Sequence, residues 1–165
     1  MKNKKGTTLM ELVIYAGMLS VMSVSIALFT ANFLRWSQRG VVISDVNQQG
    51  IFASNEIISS IRNARTINSP NQAQSDTSVS LGVISSNNDP TIFSVSSGVL
   101  RIKEGGSNWV DLTNSRVVVT DFSVKNLSGN DTPGVIRINF TLSYDNLSSN
   151  TYKYSKDFHI TTSIR

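Results

Sequence analysis

The chain has 165 residues, no cysteine and a formal net charge of +4, with 15 Lys and Arg against 11 Asp and Glu. That length holds one domain plus an appended segment, and the missing cysteines exclude a disulfide framework, a thiol nucleophile and a thiolate metal site. Hydrophobic residues make up 39% of the chain and are densest in its first 34 positions. The rest is rich in Ser, Thr and Asn and closes only a modest core.

In chain order, a basic head comes first. Lys2, Lys4 and Lys5 all precede Gly6, so removing residues 1–6 leaves 4 − 3 = +1 on the side chains. The positive charge therefore reads as a topology signal that keeps this end in the cytoplasm, and it gives a nucleic-acid partner little support. Thr7, Thr8, Leu9 and Met10 follow, then a single acid, Glu11. An ionised carboxylate in hydrocarbon costs at least about 2.5 kcal/mol, so an acid at the start of an apolar run is a functional candidate by default.

Residues 12–34 contain no charge, a run of 23. As a helix this spans about 35 Å, enough to cross the roughly 30 Å hydrocarbon layer. Ala16, Gly17, Ser20, Ser23, Ser25, Ala27 and Ala31 punctuate the run, and small residues let helices approach closely in a membrane or a packed fibre. Arg35, Trp36 and Arg39 supply an interfacial aromatic with basic anchors at the far side. A removable secretory signal is the competing reading, with Ser25-Ile26-Ala27 as its cleavage site. It gives Gly6 no role, leaves Glu11 unexplained and needs a shorter apolar stretch.

The helical pattern continues past the membrane length. Val42, Val46, Ala53, Ile57, Ile61 and Ala64 keep to steps of three and four, with gaps at Gln49 and Gly50, and make an amphipathic stripe. Asp45, Asn47, Gln48, Asn55, Glu56, Arg62 and Arg65 occupy the other face. The breaker cluster Asn68-Ser69-Pro70-Asn71 places the helix end near residue 66. A helix over 7–66, with bends expected at Gly40 and Gly50, is about 90 Å long.

Strands fill the remainder, residues 67–165. Ile136, Ile138, Phe140, Leu142 and Tyr144 alternate with Arg137, Asn139, Thr141 and Ser143, a period-two strand with one dry face. Tyr152, Tyr154, Phe158, Ile160 and Ile164 repeat the pattern, with residues 145–150 as the intervening hairpin loop. Residues 116–125 form another strand, with Val118, Phe122 and Val124 on one face. A hairpin is expected around Glu104-Gly105-Gly106, from strands at 99–103 and 108–112; residues 79–84 and 91–95 are weaker candidates. A long helix followed by short antiparallel strands is an α+β layout in which the stripe covers the sheet.

Little here points to catalysis. The one histidine, His159, falls on the polar side of the last strand beside Asp157. The acids Asp76, Asp89, Glu104, Asp111, Asp121, Asp131, Asp145 and Asp157 are scattered singly, and no glycine-rich phosphate loop occurs. Residues 126–134, with Asn130-Asp131, have the composition of a calcium loop without its spacing. Four Asn-x-Ser/Thr sequons, at Asn126, Asn130, Asn139 and Asn146, are what a Ser/Thr/Asn-rich chain makes by chance. No enzyme activity, cofactor or metal site is expected.

The run Gly6-Thr7-Thr8-Leu9-Met10-Glu11-Leu12-Val13-Ile14 resembles the type III signal of type IV pilins and pseudopilins, whose glycine precedes the cut and whose glutamate is the fifth mature residue. Counted from Thr7, the fifth residue is Glu11. The order of leader, long helix and antiparallel sheet is similar to that family as well. Residues 53–64, Ile-Arg-Asn-Ala-Arg (61–65) and 158–165 are similar to minor pilins of the J-pseudopilin or W type. The resemblance implies a leader at 1–6 removed by prepilin peptidase, with Gly6 and Thr7 flanking the cut. It further implies N-methylation at Thr7 and assembly through Glu11 with other pilin or pseudopilin subunits in a helical filament.

The other implied partners are the inner-membrane assembly platform and, before assembly, the lipid bilayer. The implied machine is a type IV pilus, a type II secretion system or a DNA-uptake filament. The mature N-terminus is usually aromatic in the family, and here it is Thr7. The mid-helix proline of many major pilins is missing, with Leu28 near its place, and so is their disulfide-closed loop, which favours a minor pilin or pseudopilin over a major pilin. A monomeric, single-pass anchored binding module shares the same layout and is the alternative.

Overall fold

A computed structural model describes residues 8–130, 133–144 and 153–165. The chain divides into two compact units, Met1–Gly40 and Val41–Arg165, and one helix, α1 (Leu9–Arg62), contributes to both. Its first turn carries Glu11 and its last turn Arg62, so each charge opposes the partial charge of the helix end it sits on.

In the first unit, α1 is apolar on every side and none of its most apolar window is buried. Four of its hydroxyls are turned inward on its own backbone. Ser20, Ser23, Ser25 and Thr30 each donate a hydroxyl hydrogen bond to the carbonyl four residues earlier, at 2.8–2.9 Å. A hydroxyl satisfied in this way costs little in a medium without water. The helix is long and apolar enough to cross a membrane.

The second unit is an α+β structure. Here α1 is one-sided: Val42, Val46, Gly50, Ala53, Ile57 and Ile61 are buried, which is the expected stripe with Gly50 added and without its last position, Ala64. The gap at Gly50 has a packing cause. A Cβ there would land in the ring of Phe158, so only glycine lets that aromatic lie against the helix. The helix runs through Gly40 and Gly50 without a break.

The helix ends at Arg62, not near residue 66 as the breaker cluster at 68–71 indicated. The amide of Asn63 still bonds the Ser59 carbonyl at 3.1 Å, and Ala64 then enters β1 (Ala64–Ser69). Thr66, Ile67 and Asn68 are weak helix formers, and antiparallel pairing with β3 (Ser78–Val83) takes up their backbone groups. The cluster at 68–71 marks the end of this strand rather than of the helix.

The strands form two antiparallel sheets where one was expected. Besides β1 and β3, the first holds β4 (Thr91–Ser96), β5 (Val99–Glu104) and β6 (Val110–Asp111), in the order β1-β3-β4-β5-β6. The second has the order β2-β7-β8-β9, with β2 (Ser75–Asp76), β7 (Val117–Asn126), β8 (Val135–Tyr144) and β9 (Ser155–Ser163). The turn from β4 to β5 is Ser97-Gly98 with φ of 52° and 75°, the double left-handed turn that matches the twist of a tight hairpin.

Strand β8 has the alternation read from the sequence, with Ile136, Ile138, Phe140 and Leu142 all buried. Strand β7 does not keep the face expected of it. Its register shifts between Val119 and Asp121, so Val117 and Val119 face the core before the shift, and Phe122 and Val124 after it. Val118 lies on the opposite face, against Gly98. The bulge adds one residue, Thr120, and reverses the parity.

Both sheets and the helix meet in one core. Val46, Ala53, Ile57 and Ile61 pack with Leu81, Phe93 and Leu100 of the first sheet and with Val124, Ile138, Phe140 and Leu142 of the second. Phe158 stacks on Phe140 with centroids 5.0 Å apart and thereby carries the core out to Gly50.

Two glycine substitutions test this packing. Alanine is the better helix former by about 1 kcal/mol, yet Gly50→Ala should lower the melting temperature, because overpacking costs about 1–3 kcal/mol. At Gly40 no atom lies within 4 Å of an added Cβ, and Gly40→Ala should cause no loss. Thermal melting of the full chain in detergent checks both; equal effects at the two sites contradict the packing at Gly50.

Candidate functional site

Of the three residues the sequence singles out, Gly6 and Thr7 lie outside the described residues. The third, Glu11, sits in the first turn of α1, and its surroundings are built by two neighbours. Thr8 caps the helix: its carbonyl accepts the Leu12 amide at 3.2 Å and its Oγ1 accepts the Glu11 amide at 3.3 Å. Thr-x-x-Glu is the spacing of a capping box. The Glu11 carboxylate is also engaged one turn on, where the Tyr15 hydroxyl donates to Oε1 at 3.0 Å. In the sequence Glu11 stands as a charge with no partner in its own chain, whereas the fold gives it one. The signal is present in the four-residue spacing, which puts both side chains on one helix face.

Beyond Glu11 the helix presents no charged side chain up to Arg35. Leu12, Met18, Met22, Phe29 and Phe33 are each more than half exposed, and Phe29 stacks on Phe33 at 6.4 Å. At Gly17 nothing lies within 4 Å of where a side chain would be. This leaves a shallow apolar notch lined by Ile14, Met18, Val21 and Met22. A helix apolar all round belongs in a membrane or in the core of a larger assembly. Trp36 is 73% exposed just past the run. Compared with known proteins, the chain matches no family model, no curated protein and no solved structure.

In the β-rich unit the candidate chemistry of the sequence disperses. His159 is exposed, with Nδ1 2.9 Å from Asn139 Oδ1. Asp157 accepts the Thr141 hydroxyl at 2.7 Å, and Asp111 and Asp45 pair with Arg101 and Arg116 at 2.8 and 3.3 Å. Asp89 accepts the Val83 amide at 3.1 Å. Among the described residues no group of three His, Asp or Glu could hold a metal ion. Asp131, Asp145 and Asn146 lie outside the described residues, and with them the hairpin loop at 145–150.

A polar cleft at the end of α1 gathers Arg62, Arg65 and Arg165 with Glu56 and Glu104. Its charges nearly balance, and arginines at a helix C-terminus offset the negative end of the helix dipole.

Residues 126–134, compared above with a calcium loop, begin at a structural knot. Asn126 is 4% exposed, its Nδ2 donates to the Pro70 carbonyl at 2.8 Å and its Oδ1 accepts the Ser128 amide at 3.0 Å. Its backbone amide and carbonyl bond Gln74 and Ala73. The side chain is thus spent on holding the 70–76 segment to β7, and the sequon at Asn126 is occluded in the folded chain.

Two outcomes follow from these contacts. Asn126→Ala strands buried polar groups and should cost about 1–3 kcal/mol, read as a lower melting temperature without loss of helix content. Thr8→Ala removes the cap, worth about 1 kcal/mol, and should speed amide hydrogen exchange at Glu11 and Leu12 in micelles while leaving Val46 and Ile57 unchanged. Uniform acceleration along α1 would contradict a local cap.

Proposed function

We propose that the chain is a structural subunit of a pilin-like filament, a minor pilin or pseudopilin of a type IV pilus, type II secretion or DNA-uptake system. The observation that carries the reading is the composition of α1. Its first half is apolar on all sides, satisfies its hydroxyls internally, and has one acid at its start; its second half belongs to an α+β head. A lone anchor needs the apolar length but not the acid.

In this reading the subunit waits in the cytoplasmic membrane with residues 1–6 in the cytoplasm and the head outside. Prepilin peptidase cuts after Gly6 at the inner face, where the absence of a side chain lets the backbone approach the protease. The assembly platform then lifts the subunit out of the bilayer, and the apolar face of α1 exchanges lipid for the helices of other subunits. The notch at Gly17 is suited to such contact, since close approach of helices favours small residues.

Glu11 then pairs with the Thr7 amine of a neighbour. A buried ion pair adds little net stability, because desolvation offsets the attraction, but breaking it by removing one partner is costly. The pair thus fixes the stagger between subunits more than it strengthens the fibre.

Two variants test the proposal. Gly6→Ala should remain at precursor length on a gel, and normal processing of that variant would sink the cleavage assignment. Glu11→Val should be processed as usual yet be missing from sheared or cross-linked filaments. Undiminished incorporation would remove the pairing role and leave a monomeric anchored module.

A further inference from the structure

We propose that Tyr15 is the intrachain partner that satisfies Glu11 while the chain is alone in the bilayer, the carboxylate keeping acceptor capacity for a cationic donor on another chain. The first half stands on the helix geometry alone, and the second half rests on the function proposed above.

The geometry is local and specific. Side chains on a helix tilt toward its N-terminus, so a residue four positions deeper in the membrane reaches back over the one before it. Tyr15 does so, and its hydroxyl donates to Glu11 Oε1 at 3.0 Å. The Glu11 backbone amide bonds Thr8 Oγ1, while its carboxylate accepts from the phenol. Hydrogen bonds to an ionised acceptor are about twice as strong as neutral ones, and an O–H placed by the chain itself needs no water.

A carboxylate offers about four acceptor sites. One phenol therefore lowers the cost of the charge without closing the site. Leucine, valine or phenylalanine at position 15 would serve the membrane equally well but leave the acid bare. Tyr15 is 54% exposed, so its ring has surface to offer lipid while the hydroxyl is occupied.

The test is a double-mutant cycle on the full chain, with Tyr15→Phe, Glu11→Val and the pair, read as the ratio of membrane-inserted to non-inserted chain. Tyr15→Phe should lower insertion by about three- to tenfold in the chain that keeps Glu11. In the Glu11→Val background, which has no acceptor at that position, it should have no effect. An equal effect in both backgrounds means that the Tyr15 hydroxyl acts independently of Glu11, as an interfacial anchor, and overturns the proposal.

A second readout is the carboxylate infrared band of the chain in phospholipid vesicles, with carbon-13 in the side-chain carboxyls of its three glutamates, Glu11, Glu56 and Glu104. Tyr15→Phe should shift one component of the band, and Tyr144→Phe should shift none. An unshifted band on Tyr15→Phe overturns the pairing. Neither measurement uses a filament. If both succeed while Glu11→Val still assembles, the filament role fails and the Tyr15 contact stands.

Discussion

A helix that is apolar on every face is stable only where water is excluded, and most of this chain can be understood as a response to that constraint. Between Leu12 and Leu34 the hydroxyls of Ser20, Ser23, Ser25 and Thr30 are turned onto the helix's own carbonyls, so that the outer surface is almost wholly hydrocarbon. Past Gly40 the same helix becomes one-sided. From Val42 onward every third or fourth residue is buried under two antiparallel sheets. One element thus contributes an apolar segment and a one-sided segment, with Arg35, Trp36 and Arg39 between them.

Glu11 is the exception within the apolar half, and it is handled by layers. Thr8 anchors its amide, Tyr15 holds one carboxylate oxygen, and the helix N-terminus favours its charge. These interactions make the acid tolerable in a lone chain without consuming its capacity for another partner. Charge elsewhere is arranged differently. From residue 41 onward there are 10 Lys and Arg and 10 Asp and Glu, a difference of 10 − 10 = 0. The β-rich unit therefore carries no net formal charge, and the basicity of the whole chain comes from Lys2, Lys4, Lys5, Arg35 and Arg39.

Much of this is legible in the residues, for a physical reason. Periodicity reports burial, so the stripe from Val42 to Ile61 and the alternation of β8 can be read directly. What escapes is set by neighbours distant in sequence. Gly50 looks like a defect in the stripe because its partner, Phe158, lies more than a hundred residues on. Val118 falls on the wrong face in a strict alternation because a single extra residue in β7 reverses parity, and pairing with β8 is what reveals it. Strand β1 reads as helix because Ala64 continues the stripe. Strand β2, two residues long, carries no pattern at all. At the candidate site Glu11 is visible as an isolated acid, while the roles of Thr8 and Tyr15 depend on rotamers that only the folded helix shows.

The central claim is that the chain is a processed subunit whose first helix packs with other copies or relatives of itself. The mass of the mature protein, purified from the membranes of the cells that make it, tests this most directly. The account predicts an N-terminus at Thr7, bare or carrying one methyl group, with residues 7–165 intact. A mass that retains Met1 to Gly6, or one beginning after Ala27 as a secretory signal would leave it, would contradict the account.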